Sequence, residues 1–477
     1  MFAWGIVVWR LSEEFVHPAW SLVSFFNYAW LCTFLFRVDP RATVLALPLL
    51  IGRASSFVSF VFIEYGSAIP ELGTVGTPGP YASSYFFYML VTYGGYMAAF
   101  RLMAEPPGRL RLHPLTPLTD YYANWIAAAV VGFAGLVVLW LLARGAMTGF
   151  PLLAGTDRFV FRRHTDTVTL YMLNLKTVIL FMLGMVAFSL PTWRFWRTSA
   201  ILGATVLLAV YFLFGDKFFT QLGGLLSFLT PYLYIHYEKV RRHFLIFLAL
   251  GSAALTVVFG FTWFIYSQGG AMTPAATMER ISGRLVGQGE LWYLQAKIGA
   301  PMVHWDAQFV ERNIEALTVK EMNLYAVQQS LGPNYFSNRY APDRIRNSIL
   351  RNAGSSTYTA ALEPLGLVMF GWGGLAVLLL AVGVLTALLK IYLAFAISSR
   401  SIISAVLVSY VSAQVGAGLT QGAPWTFLSV FALKWFSVIL VIELGLYMFG
   451  RSQSNSRQRR NMKPHMARTP LNSSTPT

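Results

Sequence analysis

PLGLVMFGWGGLAVLLLAVGVLTALLK, residues 364–390, is apolar almost throughout. As a helix it would extend about 40 Å, and about 20 apolar residues suffice to cross the hydrocarbon of a bilayer. Comparable runs occur at approximately 19–37, 41–63, 83–103, 121–143, 170–190, 199–215, 218–236, 244–266, 401–420 and 425–449. Hydrophobic residues make up 56% of the 477-residue chain and charged residues 12%. A soluble domain carries roughly a quarter charged residues and has no core large enough to hide so many apolar runs. The expected fold is therefore all-α, a polytopic transmembrane helical bundle of about eleven spans. A twelfth would follow if residues 2–16, whose apolar start is too short to span, add a partial crossing.

Charge sorts the connections between these runs. Arg37 and Arg41, then Arg101, Arg109 and Arg111, Arg194 and Arg197, Lys239, Arg241 and Arg242, and Arg400 all fall on one side if the spans alternate. Lys and Arg are retained on the cytoplasmic side, so this side is read as cytoplasmic. The basic tail, 450–477, joins it as a polar, disordered segment. The net charge of +16 is thus a matter of topology, and no nucleic-acid partner is expected. Cys32 is the only cysteine, which excludes an intrachain disulfide and a cysteine-based metal site. The chain divides into N-terminal membrane helices (1–267), a large external loop (268–363), C-terminal membrane helices (364–449) and the tail.

The loop is an island of polar sequence. From Gln268 to Glu363 it holds nine Lys/Arg and eight Asp/Glu, so it is not a basic docking patch. Its first part, Glu279 to Tyr293, combines Arg280, Arg284 and Glu290 with Trp292 and Tyr293. Aromatic faces with carboxylates hold sugar rings, and Arg grips phosphate in a bidentate fork. Residues 311–331 read as an amphipathic scaffold helix, and the stretch beyond Gly332 is rich in Arg, including Arg339. His304, Glu290 and Glu363 are the candidate general bases. Outside the loop, Gly149-to-His164 carries Arg158, Arg162 and Arg163 just after a span, and Lys217 sits in a tight Gly215-Asp216-Lys217 turn. The bland alternatives are interfacial anchors for the first cluster and a self-satisfied Asp–Lys turn for the second. No ligand pattern supports a metal, no Gly-x-Ser-x-Gly elbow supports a serine hydrolase, and no cofactor is expected.

Three of these features together carry a resemblance. They are Phe150-Pro151-Leu152-Leu153 to Arg158-Phe159, the Gly-Asp-Lys turn, and the stretch from Ser356 through Leu362-Glu363-Pro364-Leu365-Gly366-Leu367 to Gly371-Trp372-Gly373-Gly374. In this layout, over roughly residues 145–440, the chain resembles the O-antigen polymerase (Wzy-type) family and, in architecture, the O-antigen ligases. Such polymerases usually have twelve or more spans, where about eleven are counted here. The resemblance implies a membrane-embedded, GT-C-like glycosyltransferase of the bacterial inner membrane. It would join undecaprenyl-diphosphate-linked oligosaccharide repeat units, which serve as donor and acceptor, on the periplasmic face. Membrane lipids and a polysaccharide chain-length regulator are the further partners implied. On this reading Arg158, Arg163, Lys217, Arg280, Arg284 and Arg339 would bind diphosphate, and Glu290 or His304 would take the acceptor proton. A ligase is the nearest alternative. A flippase would favour charged residues inside the spans, whereas here the spans read as clean and the external island as large.

Overall fold

The computed structural model of the chain describes residues 1–104 except 71, 116–154, 161–215 except 163, 218–243, 282–299 except 284, and 362–421, with isolated positions elsewhere. Among the described residues the chain is helical apart from turns and one short hairpin (Ala68–Ile69 with Thr74–Val75, antiparallel). Among the described residues, five helices are long and apolar enough to cross a membrane, or six if one bent pair counts as a span. This is an all-α membrane protein. The runs expected at 244–266 and 425–449 and the scaffold helix at 311–331 lie outside the described residues, isolated positions aside.

The helices are α1 (Phe2–Glu14), α2 (Ala19–Val38), α3 (Pro40–Glu64), α4 (Tyr81–Met103), α5 (Thr116–Tyr121), α6 (Ala123–Thr148), α7 (Thr167–Asn174), α8 (Lys176–Phe188), α9 (Arg194–Leu213), α10 (Phe218–Ile235), α11 (Tyr237–Arg242), α12 (Glu290–Ile298), α13 (Leu362–Ser398) and α14 (Ile402–Gln421). Asp39 explains why α3 starts where it does. Its carboxylate accepts from the Arg41 and Ala42 backbone N–H groups, at 3.0 and 3.1 Å, while Pro40 occupies the first helical position. An N-cap carboxylate followed by Pro satisfies the donors that the first turn leaves orphaned.

Two packed groups make up the bundle. One is centred on α4, which α1, α2, α3 and α13 surround. The other joins α6, α7, α8, α9 and α10. α4 is not apolar enough to count among the five, because tyrosines and glycines lower its hydropathy. Its tyrosines are used inside the protein: Tyr96 Oη donates to the Ala42 carbonyl at 2.7 Å and Tyr88 Oη to the Trp372 carbonyl at 2.8 Å. Close helix approach is made by small residues, as expected where lipid offers no hydrophobic drive between helices. A Cβ on Gly383 of α13 would stand 2.2 Å from the Thr92 carbonyl oxygen of α4.

Two expectations need correction. The crossing at 170–190 is a bent pair, with α7 and α8 meeting at 51° around Leu175. The spans are also not clean. Arg53 lies in α3, Lys176 at the start of α8 and Lys390 in α13. Within residues 2–16, whose role the sequence leaves open, Phe2–Glu14 form α1, which runs antiparallel along the first half of α4. A Cβ on Gly94 would meet the Phe2 ring, and Ser12 Oγ lies 2.6 Å from Ser83 Oγ.

Candidate functional site

α13 is not a continuous rod. Gly371 has φ 67° and ψ −175°, a conformation open essentially to glycine alone. A Cβ on Gly366 would lie 2.7–2.8 Å from the Leu375 and Leu378 side chains. In a straight helix residues 366 and 375 would be about 13 Å apart. The limb Leu362–Phe370 therefore folds back against the limb that follows. Its first turn carries Glu363, fully buried, at a helix N-terminus where the backbone dipole favours an anion.

Arg53 meets Glu363 there. The guanidinium and carboxylate approach to 2.6 Å at Nη2–Oε1, and Nη1 donates to Oε2 at 3.1 Å. Nη1 also donates to Tyr85 Oη at 3.2 Å. The Arg53 side chain is 11% exposed and that of Glu363 0%. A buried pair of this kind is held in place because removing either partner strands a charge.

Residues 282–299, the described part of the 268–363 loop, pack on α3 close by. One face of α3 carries Arg53, Ser56, Phe60 and Glu64 at helical spacing. Ser56 Oγ donates to the Gln288 carbonyl at 3.1 Å and Ser59 Oγ to the Val286 carbonyl at 2.5 Å. The loop lies so flat that a Cβ on Gly289 would come within 2.7 Å of Ser59 Oγ. α12 then starts at Glu290 and beds between α3, α4 and α13. Trp292 Nε1 donates to the Tyr81 carbonyl at 2.9 Å, and the Trp292 ring packs against Tyr85, Tyr88 and Trp372. Tyr293 Oη pairs with Thr77 Oγ1 at 3.1 Å and receives a 2.8 Å bond from exposed Lys297, which pushes the lysine pKa above its usual value. Glu64, buried, accepts from the Ala82 N–H at 2.9 Å and so caps α4 from outside it.

Of the residues expected to act, Glu290 sits in this assembly, buried in the first turn of α12. His304, Arg158, Arg163, Lys217, Arg280, Arg284 and Arg339 lie outside the described residues. The sugar-platform reading of Trp292 and Tyr293 is corrected. Both rings are buried against the bundle, 1% and 0% exposed, and offer no free face. Phe150 and Phe161, on either side of residues outside the description, both pack on Phe214 at 5.5 Å. Beyond them Asp166 caps α7 and pairs with Arg144 at 2.9 Å. Its carboxyl is held below the usual range by hydrogen bonds from Thr169, backbone then side chain, with Arg144 contributing less. Arg53 was missed. Its signal in the sequence is a lone charge inside an apolar run long enough to span. No cluster of three or more metal-binding side chains occurs among the described residues.

Residues 327–435 match a family described only as of unknown function (DUF6418). The match includes Glu363, all of α13 and all of α14. No curated protein and no solved structure matches the chain.

Proposed function

We propose that this protein is a membrane-embedded glycosyltransferase that polymerises undecaprenyl-diphosphate-linked oligosaccharide repeat units at the outer face of the bacterial inner membrane. It would do so with about eleven spans, the 268–363 loop periplasmic and the basic tail cytoplasmic. The observation that carries the reading is the Arg53–Glu363 pair. Glu363 belongs to the Leu-Glu-Pro-Leu-Gly-Leu stretch on which the resemblance rests. It is held, under a cover formed by the large loop, by the side chain best shaped for a diphosphate.

The chemistry follows from exchange. A donor diphosphate that takes over the Arg53 fork releases the Glu363 carboxylate. The acceptor hydroxyl oxygen then attacks the anomeric carbon, the bond from that carbon to the diphosphate oxygen breaks, and the diphosphate leaves with the electron pair. Its charge is stabilised by guanidinium groups, Arg53 here and the arginines of the loop and of the 158–163 cluster in support. The hydroxyl proton passes to a carboxylate, Glu363 or Glu290, or to His304. Because Arg53 and Glu363 are buried, substrate entry requires the 282–299 segment to lift. A chain-length regulator is the protein partner this reading implies.

A specific observation favours a second reading, a flippase for the same lipid-linked saccharide. Charged residues do lie inside the spans, and a folded-back half-helix with a buried carboxylate is a feature of transport sites. A deletion strain separates the readings. Surface lipid capped with one repeat unit indicates a polymerase, and polymer accumulating on the carrier indicates a ligase. Carrier-linked single units trapped inside indicate a flippase. In the complemented strain, Glu363→Gln at normal membrane levels should shorten or abolish the polysaccharide ladder, and an unchanged ladder would sink the catalytic assignment.

A further inference from the structure

The basic end of the bundle, opposite the loop, holds a feature that the transferase reading leaves unused. A cavity of about 360 Å³ opens between the first turn of α3, the ends of α4 and α10 and the later turns of α13. Phe100, Leu388 and Phe395 supply apolar wall, and Arg41, Tyr234 and Tyr392 supply polar groups. The volume lies within the range of small-molecule sites, roughly 300–1,000 Å³. It admits a headgroup and the upper part of one acyl chain rather than a whole phospholipid.

Arg41 is loosely engaged among the described residues. Its guanidinium stands 3.6 Å from the Asp39 carboxylate and 5.9 Å from the Tyr237 ring centre. Asp39 is already committed to the first turn of α3. A guanidinium carries five N–H donors, so several remain for an anion. The surroundings are cationic as well. Arg37 ends α2, Arg101 lies in the last turn of α4, and α11 carries Lys239, Arg241 and Arg242 against the single acid Glu238. Val240 pins α11 to this end by packing with Phe36, Val44 and Leu233.

We propose that the cavity is a binding site for an anionic phospholipid of the leaflet at the basic end. The phosphodiester lies on Arg41 and the acyl chain runs along Leu388 and Phe395. Charge complementarity selects the occupant. A zwitterionic lipid offers the same phosphate but brings its own cation to an end of the bundle rich in Lys and Arg, whereas an anionic headgroup does not.

Thermal melts of the purified full chain in detergent test this, with phosphatidylglycerol or phosphatidylcholine added. Phosphatidylglycerol should raise Tm by several degrees, increasingly with concentration as ligand linkage requires, and phosphatidylcholine by clearly less. Arg41→Gln should remove the difference between the lipids, and so should Ala394→Trp, which fills the cavity. Met103→Trp at the exposed rim serves if Ala394→Trp does not fold. Arg241→Gln, outside the cavity, should keep most of the difference. Equal shifts with both lipids, or a difference that survives Arg41→Gln, would overturn the proposal. So would an equal shift with glycerol phosphate alone, since the site would then bind phosphate and not lipid.

Discussion

Arg53 shows what one charge demands inside an apolar bundle. Unpaired, its guanidinium would bear the cost of leaving water with little return; paired with Glu363 and bonded to Tyr85, it is tolerated. Substituting one partner should therefore be worse than substituting both. Arg53→Met or Glu363→Leu alone is expected to cost about 3–5 kcal/mol, the typical penalty for stranding a buried charge, whereas the double variant should recover most of the loss. Unfolding in detergent would measure this, and strictly additive losses would show that the two side chains do not depend on each other. The charge itself was legible in the sequence. Its partner was not, because the two residues stand 310 positions apart and nothing local marks them as neighbours. Glu290 was legible as a carboxylate beside aromatics, but its burial came from the way the loop beds on α3, which no spacing rule reports.

At the level of elements, the sequence announced the long helices well and their interruptions poorly. Apolar runs of sufficient length located α2 and α3 to within one residue, but missed one end of α6 and of α9 by five residues and the end of α13 by eight, since an apolar run marks a span without marking where its helix stops. The bend at Leu175 carries neither Pro nor Gly, so it left no local mark. The break at Gly371 lies in a Gly-Trp-Gly-Gly stretch that any glycine-rich span could contain. Three glycines can nevertheless be ranked by geometry. Gly371→Ala should cost about 1–3 kcal/mol, the usual penalty for a side chain forced into that backbone region. Gly383→Ala should cost a comparable amount, roughly 1–3 kcal/mol, by wedging α13 away from the Thr92 carbonyl of α4. Gly132→Ala in α6, where a Cβ meets nothing within 4 Å, should be neutral or slightly stabilising. Expression level and melting temperature in detergent would check all three, and a damaging Gly132→Ala would discredit the ranking.

For the molecule as a whole, the distribution of Lys and Arg sets an expected sidedness, which labelling can test. The native Cys32 can be replaced by Ser, and single cysteines then placed at exposed Lys297 and Arg241. A membrane-impermeant maleimide should label Lys297→Cys in spheroplasts and Arg241→Cys only after permeabilisation; the reverse pattern would invert the proposed topology. The Arg53–Glu363 pair also bears on how the protein is made. A ribosome adding about 5–20 residues per second needs roughly 15–60 s to travel from Arg53 to Glu363. During that interval α3 sits in the bilayer with its charge uncompensated, sheltered at best by Tyr85 on α4. Nascent chains arrested before Glu363 should thus be poorly retained and readily degraded by membrane proteases. The last third of the polypeptide then acts as a checkpoint on whether the first third stays inserted.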